Sequence, residues 1–511
     1  MSTRLRRLMP LRLAPGRTQW GHAPGSGSRG NPAGTSAIAG AKAARLSAAL
    51  GAGLPVLPGW VVPAAESRAA AAAAAATMRR GQFAAARRAV LSRPLDGGLA
   101  AELAEAAARL GGGVIVRSSS KLEGDPRWSG AFASVAGVRP NEVANALRSC
   151  WASAFAVDPL ARLDACGLQL EDLELAALIQ PEIRPAAGGV ARVTLPVPRE
   201  GSGAAANSAS ADRRVDIAVE GVEGHPGALL QGWSEGASAL VTLLCPSGTG
   251  IGENTSPQQR MMADLRNRDA RAVAEGPLVG LVGCDLVLEV ARLAEGVHRL
   301  LGDDTIEWAV QDGRVWLLQC RHTGRPPTAT AAHTIAPPHT TTPHTTTPPH
   351  TTTPQTAAAP HTTALPGPQP AGREWMPVLG AAIRARGHHL QARPAAAGEA
   401  AGRLVACRSL ERPPAACRDA ILLIDRPVPA FAPLLFTARG VIARSGTASS
   451  HLAEVARSLT VPMVTGCRPE AVTDAYPACS GWLAAIDGGT GDVVLSCGDG
   501  SGRDRREARH G

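Results

Sequence analysis

One histidine stands where a side chain could exchange a group with a ligand. His451 follows the small hydroxylic residues Thr447, Ser449 and Ser450 and heads an amphipathic stretch that runs into Pro462. A strand, 440–442, leads into that Gly/Ser/Thr loop, so the spacing predicts strand, loop, helix, strand. A helix N-terminus disfavours a charged imidazolium, which leaves the ring a nucleophile. Its free backbone N–H groups and the three hydroxyls can hold an anion beside the ring. Such a histidine can take and give a phosphoryl group. The same placement also suits a purely structural helix cap, and the residues alone leave both readings open.

Other candidates stand out by rarity. Of 52 basic residues only Lys42 and Lys121 are lysines, and the Arg, Ala, Gly and Pro bias matches a GC-rich coding sequence. A lysine that persists under that bias points to a role needing a compact ammonium, which Arg cannot supply.

These groups need a scaffold, and 511 residues with 45% hydrophobic content can supply about three domains. Residues 1–36 carry six arginines and no acid in the first thirty, and read as a disordered basic arm; 499–511 read as a disordered tail. Residues 37–323 read as a globular unit. Its helix covers 39–50, its strands 54–63, 114–116 and 315–319, and its Ala-rich helices 64–110. Residues 176–180 and 190–195 read as a hairpin about the Pro185–Gly189 turn, and 201–211 as a mobile loop. Residues 324–372 repeat Pro-His-Thr-Thr-Thr-Pro and can bury no core. A linker extended at about 3.1 Å per residue is expected there, with metal binding by His333, His339, His344, His350 and His361 as the alternative. Residues 373–498 read as a small α/β unit with strands 421–424, 440–442, 461–464, 483–486 and 493–495.

Several classes are excluded. No long charge-free apolar run exists, so no transmembrane helix and no membrane partner are expected. The net charge of +9 lies largely in the two tails and aromatics are 3%, which argues against nucleic-acid binding. Ten dispersed cysteines without a C-x-x-C pair, and no apolar leader, predict reduced thiols and a cytoplasmic location.

The segment around His451 resembles the swivelling phosphohistidine domain of phosphoenolpyruvate synthase, pyruvate phosphate dikinase and related antibiotic phosphotransferases. Gly446, Ser450, His451, Ala453, Ala456, Arg457, Pro462, Val464 and Gly466 match its pattern; Ser445 replaces a glycine. The turn 487–491 matches the closing turn of that domain. Residues 38–62 and 114–132 resemble the start of the family's ATP-grasp-like nucleotide domain. The resemblance implies that Lys42 and Arg117 contact ATP, that Glu123 and the 129–132 turn cover phosphate, and that Gln180 and 189–191 lie on the adenine side. Glu220 and Gly232 fit an acidic stretch whose middle, Gly224–Gly227, lacks the family's acid. Glu307 and Gln319 would ligate Mg2+, Arg321 would clamp phosphate, and Thr305 stands where Asp is common. Lys121 lies in the phosphate loop, with a surface role as its alternative.

The resemblance therefore implies a multidomain α/β and α+β chain with an ATP-grasp-like domain, a linker and a phosphohistidine domain. ATP with Mg2+ would phosphorylate His451, which would relay the group to pyruvate or another small molecule. In the family the imidazole attacks the β-phosphate, AMP leaves, and the γ-phosphate goes to water or phosphate. Neither the family's pyruvate barrel nor the antibiotic enzymes' helical acceptor domain is found between or beside these segments. A separate PEP/pyruvate-binding subunit, or a small acceptor between the two modules, is expected. The alternatives are a non-catalytic ATP-binding regulator and an antibiotic phosphotransferase-like enzyme.

Overall fold

A computed structural model describes residues 7–11, 32–78, 83–194, 213–245, 272–323, 381, 383–384, 387–407, 417–469 and 481–497. The expected linker 324–372, the loop 201–211 and the tail 499–511 lie outside these residues.

Two antiparallel sheets build the N-terminal unit. The first is ordered β1 (Met9–Pro10), β2 (Trp60–Val62), β5 (Leu175–Pro181), β3 (Val114–Ser120), β4 (Ser134–Val138). The second is ordered β11 (Arg314–Arg321), β10 (Thr305–Gln311), β6 (Ala187–Thr194), β7 (Arg213–Glu223), β8 (Ala237–Cys245), β9 (Ala272–Glu275). Each sheet packs on a main apolar core, and Val61 and Leu178 of the first sheet also enter the core of the second. Val114, Val116, Ala177 and Ile179 pack against the helices Arg68–Met78, Phe83–Ser92, Gly97–Arg109 and Val143–Ser153. Ile217, Val219, Ile306, Trp308 and Leu317 pack against the helices Pro32–Gly51 and Cys284–Leu301. Strand alternation then leaves the opposite faces free: Ile115, Arg117 and Gln180 on one sheet, Glu307 on the other.

Four sequence expectations need correction. The basic arm is ordered at residues 7–11, where Met9 pairs with Val61 and Leu8 and Leu11 are 3% and 1% exposed; apolar side chains between arginines dock there. Helical backbone already starts at Pro32, and a break at Gly40 separates that first segment from the helix expected over residues 39–50. Residues 176–180 and 190–195 do not pair as a hairpin: β5 and β6 belong to different sheets. Gly188 and Gly189 are strand residues rather than turn residues, because a Cβ on Gly189 would meet the Glu220 carbonyl oxygen at 1.9 Å. The strand expected at 54–63 is confined to β2, with Val56 making an isolated bridge to Leu317.

The C-terminal unit is an eight-stranded sheet. Its order is β12 (His388–Gln391), β19 (Asp492–Cys497), β18 (Trp482–Asp487), β14 (Glu399–Ala406), β15 (Ile421–Ile424), β16 (Gly440–Ala443), β17 (Met463–Thr465), β13 (Arg393–Ala396). The run β14–β15–β16–β17 is parallel, as the β-α-β reading expects. The helix His451–Ser458 crosses between β16 and β17 and buries Leu452, Val455 and Ala456 against Leu422 and Val441.

Candidate active site

The loop before His451 is shaped by contacts that admit no larger residue at one point. Gly446 has φ +94°, and a Cβ there would come within 2.5 Å of Pro427. Ser445, in place of the expected glycine, fits without strain: its Oγ donates to the Asp425 carbonyl oxygen at 3.0 Å. Ser450 caps the helix, its Oγ accepting from Ala453 N at 3.3 Å. His451 is therefore the first helical residue, as the sequence predicts.

A cavity of about 980 Å³ runs between the two N-terminal sheets and is closed on one side by the C-terminal unit. Lys42, Arg117, Glu123, Gln180, Glu307, Gln319, Arg321 and His451 all line it, so eight of the nine predicted site residues converge. Glu220 does not line it. It lies on β7 opposite Val190, and its buried Oε2 has no hydrogen-bond partner among the described residues. Thr305 is also absent from the lining; it hydrogen bonds with Asp304, Thr323 and Arg192. Gly227 lines the cavity with no acid, as read.

Lys42 reaches the cavity because the helix Pro32–Gly51 breaks at Gly40 (φ 73°, ψ 163°). The break lets the chain lie on Ser119, whose Oγ accepts from Ala43 N at 3.0 Å and so starts the second segment. Lys42 Nζ donates to the Ser118 carbonyl at 2.8 Å and to Glu123 at 3.1 Å. Glu123 also accepts from Ser120 N at 2.8 Å. Lys121 is on the surface, paired with Asp172 at 3.0 Å.

A β-bulge sets the far wall. On β11, Val315 and Leu317 face the core, so strict alternation would bury Gln319 and Arg321 there too. Between Glu307 and Trp308 the register shifts: Glu307 pairs with Gln319 and Trp308 with Leu317, leaving Leu318 as the extra residue. The shift turns Gln319 and Arg321 to the cavity face beside Glu307. The Leu318 carbonyl oxygen then accepts from Arg117 at 2.6 Å, and Gln319 Oε1 accepts from the same guanidinium at 3.2 Å. Burial lowers the Arg117 guanidinium despite Glu307 and Glu123 nearby. Gln180 Nε2 donates to the Leu57 carbonyl at 3.0 Å.

The two units meet at His451. Its Nδ1 lies 2.8 Å from Ser129 Oγ and 3.5 Å from Glu454 Oε2, while Nε2 has no hydrogen-bond partner among the described residues. Ser129 also donates to Glu454, and Arg321 bridges Glu454 and Glu307, the latter at 3.1 Å. Burial pushes the Glu454 carboxyl up, but Arg321, His451 and Arg457 outweigh it and hold the group well below the usual carboxylate range. Gly130 (φ +67°) packs on the imidazole, where a Cβ would approach Cδ2 to 2.8 Å. Arg162, fully buried, fixes this loop: it donates to the carbonyls of Arg127 and Ser129 at 2.9 Å each and to that of Pro429 at 3.1 Å.

Sequence reasoning missed Glu454 and Arg162. The only available signal for Glu454 was an acid three residues after the histidine, one helical turn along the same face.

The cavity walls can serve a polyanion and its counter-ion. Glu307 and Gln319 present carboxylate and amide oxygens side by side among cations, a donor set that suits Mg2+ shared with phosphates. Among the described residues no cluster of three or more His, Cys, Asp or Glu forms an all-protein metal site, and no helix is long and apolar enough to cross a membrane.

Comparison with known proteins agrees with this geometry. Residues 36–340 match the AMP/ATP-binding domain of pyruvate phosphate dikinase, and residues 417–491 match the mobile domain of PEP-utilising enzymes. No curated protein matches the chain. Among solved structures, the holo-form of Thermococcus kodakaraensis aconitase X is 17% identical over 22% of this chain and 99% of its own, with a TM-score of 0.18, a likeness too slight to bear on fold or function.

Proposed function

From a chain that belongs to the pyruvate phosphate dikinase family of PEP-utilising enzymes, we propose an ATP-dependent phosphotransferase that works through phosphorylated His451. The reading rests on one observation: a histidine whose Nδ1 is engaged and whose Nε2 has no hydrogen-bond partner among the described residues lines the same cavity as Lys42, Arg117 and Arg321. ATP lies between the two sheets with its phosphates toward those cations. Nε2 attacks the β-phosphorus, the bond to the α-bridging oxygen breaks, and AMP leaves with the electron pair. Water then takes the γ-phosphoryl group as inorganic phosphate, and phosphohistidine remains. Glu307 and Gln319 would hold Mg2+, which would offset phosphate charge. Lys42, Arg117 and Arg321 orient the phosphates and offset the charge that develops during in-line transfer. The acceptor is a small molecule, pyruvate or another, supplied by a partner chain or bound between the units in a cytoplasmic enzyme.

The test is incubation with ATP labelled at the β- or γ-position and Mg2+. Acid-labile, base-stable label from the β-position, lost in His451→Ala, is expected. Absence of AMP formation at saturating ATP with candidate acceptors overturns the reading. It would favour the second one, a nucleotide sensor, which Gly227 supports by leaving the cavity without the family's acid.

A further inference from the structure

We infer that Glu454 is a positioning residue that fixes His451 in the tautomer with Nε2 as the nucleophile. The inference deepens the phosphohistidine reading and rests on it only for the identity of the reaction.

The proton count carries it. Glu454 is fully buried at its side chain, and its Oε1 faces the Arg321 guanidinium, a group with donors only. An ionised carboxylate has no proton to give, so the Ser129 hydroxyl spends its single proton on Glu454 Oε2. Toward His451 Nδ1, 2.8 Å away, Ser129 then has lone pairs only. Nδ1 must therefore be the protonated nitrogen, and Nε2 keeps its lone pair. Free imidazole gives no such assurance, since both tautomers are populated. As Nε2 bonds to phosphorus and the phosphorus–oxygen bond to the leaving group breaks, positive charge spreads over the ring. Nδ1 retains its proton and hydrogen bond, no proton moves, and the Glu454 carboxylate offsets the charge. The arrangement performs for a phosphoryl acceptor what a buried acid does for the histidine of a hydrolase triad.

Arg321 makes the isosteric change informative. In Glu454→Gln the guanidinium demands the amide oxygen, so the amide NH2 turns to Ser129 and donates. Ser129 must then donate to Nδ1, and the ring's proton moves to Nε2.

The experiment is long-range 1H–15N correlation of the full-length chain labelled at histidine nitrogen, with His451 identified by its loss in His451→Gln. At a pH where the ring is neutral, the wild type is expected to show Nδ1–H in at least about tenfold excess, and Glu454→Gln to reverse the ratio. Ser129→Ala is expected to reduce the excess without reversing it. If wild-type His451 carries its proton on Nε2, or Glu454→Gln leaves the ratio unchanged, the inference is overturned. In the labelled-ATP assay the phosphorylation rate of Glu454→Gln should fall about a hundredfold with KM for ATP within about threefold. An unchanged rate also overturns it. A wild type that never phosphorylates, with the tautomer as expected, removes the reaction and leaves the positioning role standing.

Discussion

Arg321 and Glu454 form a buried ion pair across the boundary between the two units, 133 residues apart in the chain. Removing one partner of such a pair leaves an uncompensated buried charge, at a cost of about 3–5 kcal/mol. Arg321→Ala is accordingly expected to lower the thermal midpoint at neutral pH. The pH dependence has a definite sign. A carboxyl held low in the folded state adds stability that is in place above its unfolded value of about 4.3 and is lost as pH falls toward the folded value. Wild-type midpoints between pH 7 and 3 should thus drop more steeply than those of Arg321→Ala. Equal slopes would contradict the pairing.

Lys42 makes two polar contacts on the cavity wall, and a charge-assisted contact to phosphate is worth about 1.5–3 kcal/mol. Lys42→Ala should weaken binding of ATP with Mg2+ by roughly ten- to a hundredfold in titration calorimetry. Lys42→Arg should not restore it, because a planar fork cannot replace a point ammonium in this 7% exposed position. Undiminished affinity in both variants would place the phosphates elsewhere.

Gly40 tests the helix break that aims Lys42. Its backbone is left-handed, and a Cβ would sit 2.1 Å from the Ser119 carbonyl oxygen. Gly40→Ala is expected to cost at least about 3 kcal/mol in denaturant unfolding, since strain and overlap add. A loss under 1 kcal/mol, on the order of an ordinary surface change, would mean the break is not imposed by that contact.

Cys407 and Cys417 lie with sulfurs 3.6 Å apart in the C-terminal core. Burial, helped by the Cys417 thiol, pushes the Cys407 thiol up to about 12. At pH 8 the thiolate fraction at Cys407 is then on the order of one in ten thousand. Iodoacetamide should label exposed Cys284 and spare Cys407 in the native protein, read by peptide mass spectrometry. Equal labelling would show that this core opens.

Local chemistry was legible in the sequence and long-range geometry was not. Strand β15 and the helix at His451 follow from short runs whose pattern is complete within a few residues. Glu454 is not among the residues that match the histidine motif, and it matters only because Ser129 and Arg321 come to it from elsewhere in the chain. The Leu318 bulge is invisible without β10 beside it, although it decides which way Gln319 and Arg321 point. Gly188 and Gly189 read as a turn because glycines usually make turns; here they allow two backbones to approach closely. Strand β13, Arg-Pro-Ala-Ala, has none of the branched or aromatic residues that mark strands.

The two sheets of the N-terminal unit are already joined beside the cavity, where the helix Pro32–Gly51 touches strands of both and Val61 and Leu178 of the first sheet enter the core of the second. A molecule seated in the cavity acts as mortar along the rest of that seam. Calorimetry should show a melting midpoint that saturating nucleotide raises, in proportion to the logarithm of its concentration.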